Sequence, residues 1–97
     1  PVPLTQVFTG TSLAISAAAG IGTSTPLDVV VSNFEAIGGT GGINITNTGD
    51  LTLGGASASL TGVSTTNAAI TVTAASSINV TEAITSGGGN LSLNATD

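Results

Sequence analysis

A two-strand phrase recurs along the chain. Shifted by 27 positions, the segment INITNTGDLTL from Ile43 lies on ITVTAASSINV from Ile70, matching apolar residues at 43/70, 45/72, 51/78 and 53/80. Each copy holds two short alternating stretches whose starts are eight residues apart. An earlier copy, LAISAAAGI, sets Leu13, Ile15 and Ala17 ahead of Ile21 at the same spacing, and LSLNA repeats the first stretch at Leu91, Leu93 and Ala95. Copies starting near 13, 43, 70 and 91 stand 30, 27 and 21 residues apart, the size of one coil of a β-solenoid with loops of unequal length. A unit this small cannot bury its apolar face alone, so it must stack on its neighbours.

Alternation with period two turns one set of side chains inward and the other outward. The expected inward ladders of the first face are Leu13, Ile43, Ile70, Leu91, then Ile15, Ile45, Val72, Leu93, then Ala17, Asn47, Ala74, Ala95. On the second face Ile21, Leu51 and Ile78 stack, with Leu53 over Val80. Asn47 is the one polar member, which predicts an internal amide bonded to neighbouring backbone. Segments 27–37, 56–63 and 83–84 are assigned to a third face. Val29-Val30-Val31 and Ser59-Leu60 supply its strands, and Gly38 to Gly42 and Gly87 to Gly89 form the bends back to the first face. Residues 1–12 are assigned to part of a preceding coil or to an end cover made by Leu4, Val7 and Phe8. The reading is one all-β module over 1–97, a parallel β-solenoid of about four coils. A β-sandwich competes, having as many short strands and Gly-rich turns, but it does not require an aligned phrase at coil-like intervals.

Composition agrees with strands and closes several functional classes. With 40% apolar residues the chain has material for a core, and its 17 Thr and 11 Ser favour strand over helix. The 97 residues contain no Lys, Arg, His, Cys, Met, Trp or Tyr, and the net charge is −5. Without cations the chain cannot neutralise phosphates, so nucleic-acid binding is excluded. Catalysis would have only carboxylates and hydroxyls to work with, so no enzyme is expected. No apolar run reaches the 18 or more residues of a membrane helix, and the Pro-Val-Pro start lacks the charged and apolar regions of a signal peptide, so the chain reads as mature or excised.

The sequence carries four weaker signals. Asp28, Glu35, Asp50, Glu82 and Asp97 would bind calcium only if the coils gathered two or three of them. Asp50 aligns with Ser77 and Glu82 with Gly55, so neither acid repeats. No calcium-solenoid nonapeptide occurs, and the five acids read as solvated loop charges with no cofactor. Asn44, Asn79, Asn90 and Asn94 match the N-glycosylation acceptor pattern and would be the modified positions if sugar were attached. Composition alone yields about two such matches among seven Asn, so unmodified Asn is the preferred reading. Thr46/Thr48 and Thr71/Thr73 suggest an ice-binding array, but the outward rows mix Ser, Thr, Asn and Ala. The glycine runs lack the Lys-Ser/Thr of a phosphate loop and read as turns.

The phrases GGINITNTGDLTLGG, TPLDVVVSN and LTGVSTTNAAITVTAASSINVTEAITSGGGNLSLNATD resemble repeats of very large secreted bacterial adhesins of the filamentous-haemagglutinin and autotransporter-passenger type. The resemblance runs from about Leu13 to Asp97 and implies a right-handed parallel β-helix on the cell surface, a rod without catalytic activity of its own. The expected function is a structural repeat module of an extracellular adhesin or fibre. Its partners would be other copies or adjacent repeats, head to tail, because a stack ending in Asn-Ala-Thr-Asp has no evident cap and its edge carries no Lys. A calcium- or glycan-binding surface module, using a groove beside the Gly-rich bends, is the alternative.

The missing cations also remove every trypsin site. The chain is expected to survive trypsin intact even after denaturation in urea, while a protease that cuts at apolar residues degrades the same sample. Trypsin fragments in the mass spectrum of the denatured chain would contradict this.

Overall fold

In a computed structural model, residues 8–22, 26–58 and 60–96 are described. They form eleven short strands and no helix. These are β1 (Phe8–Thr9), β2 (Ser12–Ser16), β3 (Leu27–Val30), β4 (Asn33–Ile37), β5 (Ile43–Asn47), β6 (Leu51–Leu53), β7 (Val63–Ser64), β8 (Ile70–Ala74), β9 (Ile78–Val80), β10 (Ile84–Thr85) and β11 (Leu91–Ala95). Thr, Val and Ile populate them, as β-branched side chains fit a pleated surface, and glycines lie mostly between them. The protein is all-β, and every pairing between these strands is parallel.

Two sheets result. The first has the order β1-β3-β5-β8-β11; the second runs β10-β7-β4-β6-β9, with β2 paired to β4. The chain crosses from one sheet to the other on each pass, so each strand lies beside its counterpart from the previous pass. In the first sheet Ile43, Ile70 and Leu91 are in register, as are Ile45, Val72 and Leu93, and Asn47, Ala74 and Ala95. In the second, Leu51 pairs with Ile78, and Leu53 with Val80. Between the sheets Phe34, Ala36, Ile45, Leu51, Leu53, Val63, Ile70, Val72 and Ala74 are fully enclosed. Burying each larger member contributes about 1.5–3 kcal/mol.

The earliest copy of the phrase is placed differently from the sequence reading. Leu13 and Ile15 pair with Phe34 and Ala36 in the second sheet, not with Ile43 and Ile45, and Ala17 follows them, donating its N–H to the Ile37 carbonyl. Ile21 bridges Ile43 in the first sheet and does not stack over Leu51. The cause is an insertion. Ile21 and Leu27 occupy the positions that Ile43 and Ile45 hold one pass later, yet they stand six residues apart instead of two, and Leu27 pairs with Ile45. Alternation alone shows that a stretch has an inner side; it does not say in which sheet the stretch lies.

The third-face assignment changes for a related reason. Val29 and Val30 belong to β3 in the first sheet, where Val29 pairs with Asn47 and is buried; Val31 follows the strand. Leu60 lies outside any strand, and Ser59, Leu4, Val7 and Asp97 fall outside the described residues. Phe8 is in β1, paired with Val29. The remaining third-face segments supply β7 and β10, which pair with each other and, through β7, with the second half of β4. The glycine runs at 38–42 and 87–89 are turns entering β5 and β11. At Gly41 a side chain would drive into the Ala19 backbone of the preceding turn, so only glycine lets these turns stack.

One strand is divided on the next pass. The first half of β4 pairs with β6 (Asn33 with Thr52, Phe34 with Leu53) and its second half with β7 (Ala36 with Val63, Ile37 with Ser64). Nine residues, 54–62, connect β6 to β7 in the sequence, and one pass later only three, 81–83, connect β9 to β10.

Asn47 is completely buried in the apolar row. Its Oδ1 accepts the Val31 N–H at 2.9 Å, and its Nδ2 faces the carbonyls of Thr48, Gly49 and Asp50, the nearest at 3.2 Å. The side chain thus closes the turn that carries the chain from β5 to β6. Asn47→Ala leaves the Val31 N–H and this turn without their partner and is expected to cost about 2 kcal/mol, read as a lower urea midpoint at unchanged slope. An unchanged midpoint would show that the amide contributes nothing.

Candidate interface at the open sheet edge

Stacked rows bury a side chain only if a further strand covers it. Ile43 and Ile70 are 2% and 0% exposed, but Leu91, next in the row, is 47% exposed. Ile45 and Val72 are both at 0%, and Leu93 rises to 37%; Leu53 is at 0% and Val80 at 50%. The chemistry of each row is unchanged at its last member. What changes is that β11 is the edge of the first sheet, while β9 and β10 close the second on the same side.

β11 also lies against β9. The three apolar side chains therefore share one end with unpaired N–H and C=O groups of the edge strands. None of β9, β10 and β11 contains a charge or a Pro, two of the usual devices that keep an edge from pairing. Such an end fits one more parallel strand pair carrying small aliphatics at the same spacing.

The other sequence candidates are scattered. Asn44 is half-buried in the middle of the first sheet, opposite Thr71. Asn79, Asn90 and Asn94 are exposed, and the Asn94 Nδ2 donates to Ser92 Oγ at 3.2 Å. An open groove of about 160 Å³ lies beside Gly41 and Gly42, edged by Ile21, Asn44 and Thr71. It holds neither carboxylate nor aromatic ring, so it offers a cation or a sugar no strong anchor.

Among the described residues no three His, Cys, Asp or Glu stand together. Asp28 is exposed on β3. Asp50 is exposed at its turn; hydrogen bonds from the Ser76 side chain and then the Ser77 N–H, the latter at 3.1 Å to Oδ1, hold its carboxyl below the usual range. Ser77 is thus both its partner across the repeat and its donor.

Glu35 departs from the sequence reading, which made it a solvated loop charge. It lies within β4 and is 0% exposed. Its Oε2 accepts Gly55 N–H at 3.0 Å and its Oε1 accepts Ser57 N–H at 2.7 Å. The Glu82 carboxyl hydrogen-bonds it from the 81–83 link, and that bond, the largest influence, with the N–H groups of Ser57, Gly62 and Gly55, keeps Glu35 below the ordinary value of 4.5 against the opposing effect of burial. Nothing in the local sequence signals this, because the covering segment is about twenty residues away along the chain.

Against known proteins, the chain matches no family model, no curated protein and no solved structure.

The Glu35 carboxyl has a lower pKa folded than unfolded, so its contribution to stability is complete above the unfolded value of 4.5 and is lost as pH falls through the folded one. Urea midpoints are expected to fall in acid below 4.5, and to fall less in Glu35→Gln. Equal acid sensitivity of the two chains would assign the loss to other groups.

Proposed function

We propose that this chain is a structural repeat module of an extracellular surface adhesin or fibre. It is built as a right-handed parallel β-solenoid, and its open edge is covered by the next repeat or by another copy. The observation that carries the reading is the exposure of Leu91, Leu93 and Val80 in rows whose earlier members are enclosed. Parallel strands alternating between two sheets, in register from pass to pass, support the solenoid geometry. Each pass in such a stack advances about 4.8 Å, so length would be added by repetition, not by new design.

The role is architectural. Carboxylates held by backbone N–H groups and a groove without charge favour neither catalysis nor a calcium or glycan site. Absence of Lys and Arg suits an exposed fibre, since trypsin-like proteases find no site in it.

At micromolar concentration the purified chain is expected to form elongated particles or fibres in the electron microscope. The double substitution Leu91→Glu and Leu93→Glu should leave it monomeric by sedimentation with its strand signal intact. Both residues are already exposed, so the folded monomer loses little, about 0.5–1 kcal/mol. A monomeric unsubstituted chain at the highest attainable concentration would remove copy-to-copy stacking, and undiminished fibres of the double variant would remove this edge as its site.

A further inference from the structure

Between β6 and β7, residues 54–58 and 60–62 meet carboxyl groups of other passes near both ends of the link, whose end residues Gly54 and Gly62 are also bonded to the backbone of Phe34 and Ala36. Phe34 and Ala36 point into the core, so alternation along β4 turns Glu35 to the outer face of the second sheet. It is nevertheless fully buried, with the segment lying over it and donating the Gly55 and Ser57 N–H groups. Near the other end of the segment, Gly62 donates its N–H to Glu82 Oε1 at 2.8 Å. Gly62 itself has a φ of +69°, and a side chain there would collide with the Ala83 carbonyl, which fixes the backbone path beside Glu82. The Glu82 carboxyl also stands within reach of Glu35, the two sharing a hydrogen bond when one of them carries a proton.

Among the described residues, the surroundings contain nothing else that titrates. The strands packed around Glu35 read SLAIS in β2, LTL in β6 and VS in β7, and the segment itself is GGASASLTG. Glu82 is the one titratable group facing Glu35, and the chain has no Lys, Arg or His to replace either charge.

We propose that residues 55–58 are an acid-released strap, freed from the outer face of the second sheet when Glu35 and Glu82 are both protonated, while Gly54 and Gly62 stay bonded to Phe34 and Ala36 and the two sheets stay paired. Hydrogen bonds from N–H to an ionised carboxylate are roughly twice as strong as those to a neutral one. While ionised, the two carboxylates hold the Gly55, Ser57 and Gly62 N–H groups between them, with Gly62 facing both. Protonation of both leaves these three N–H groups facing neutral acids. The sheets are held by Ile45, Val72, Leu53 and Val63, none of which senses pH. Release uncovers the outer face of β4 around Glu35.

Residue-resolved amide hydrogen exchange on the whole chain tests this, at neutral pH and at about pH 3, below the carboxyl range, with the intrinsic pH dependence removed. The Gly55, Ser57 and Gly62 amides are expected to lose protection about tenfold or more in acid, the worth of a charge-assisted hydrogen bond, relative to amides of β5 and β8. Unchanged protection of the three, or a loss shared equally by β5 and β8, overturns the strap. In Glu82→Gln the side-chain oxygen still accepts from Gly62 and the amide still donates to Glu35 at any pH. Gly62 should then stay protected in acid while Gly55 and Ser57 are released; release of Gly62 as in the unsubstituted chain overturns the part assigned to Glu82.

Discussion

Parallel pairing in register, with the same position of one pass lying on the same position of the next, is the constraint from which the remaining features follow. It brings like side chains together along a row, so a row tolerates only residues that pack well on their own kind. Ile, Val, Leu and Ala do so, and the largest ring in the described core, Phe34, sits in a row with Leu13 and Leu53. Register also limits charge, because a charged residue repeated in a row would meet its own sign on both sides. The chain meets this limit by having few charges and repeating none of them in a row.

Polar groups enter this framework only where backbone can satisfy them. Asn47 substitutes for an aliphatic in its row because the turn after β5 presents three carbonyls to its amide and the Val31 N–H to its oxygen. Glu35 and Asp50 are treated alike, with N–H groups one pass further along acting where another protein would place an arginine. A cation would bring a long, entropically costly side chain; a backbone N–H is already ordered by the strand or turn that carries it.

Much of this architecture was legible in the sequence, and the failures share one cause. Where two copies have equal spacing, as in the passes containing Ile43 and Ile70, alignment of the text is alignment in space. Where a pass carries an insertion, as between Ile21 and Leu27, the row continues in space but is broken in the text, and Leu13 with Ile15 offered an apolar pattern that fitted the gap. LSLNA was legible as a copy of the first stretch, since Leu91 and Leu93 fall in register on Ile70 and Val72. The buried Glu35 was not, since its burial is the work of a segment whose sequence, GGASASLTG, says nothing of what it covers.

The division of β4 into β6 and β7 has a consequence for how such a chain can vary. At one junction in the second sheet the backbone runs straight through in β4, detours by nine residues between β6 and β7, and bridges with three residues between β9 and β10. Rows on either side keep their register across all three arrangements. Closing a longer excursion costs little more than closing a short one, because loop entropy grows only with the logarithm of length. This junction is therefore a port in the scaffold, where new sequence can be spliced in and displayed along the flank without disturbing the stack that carries it.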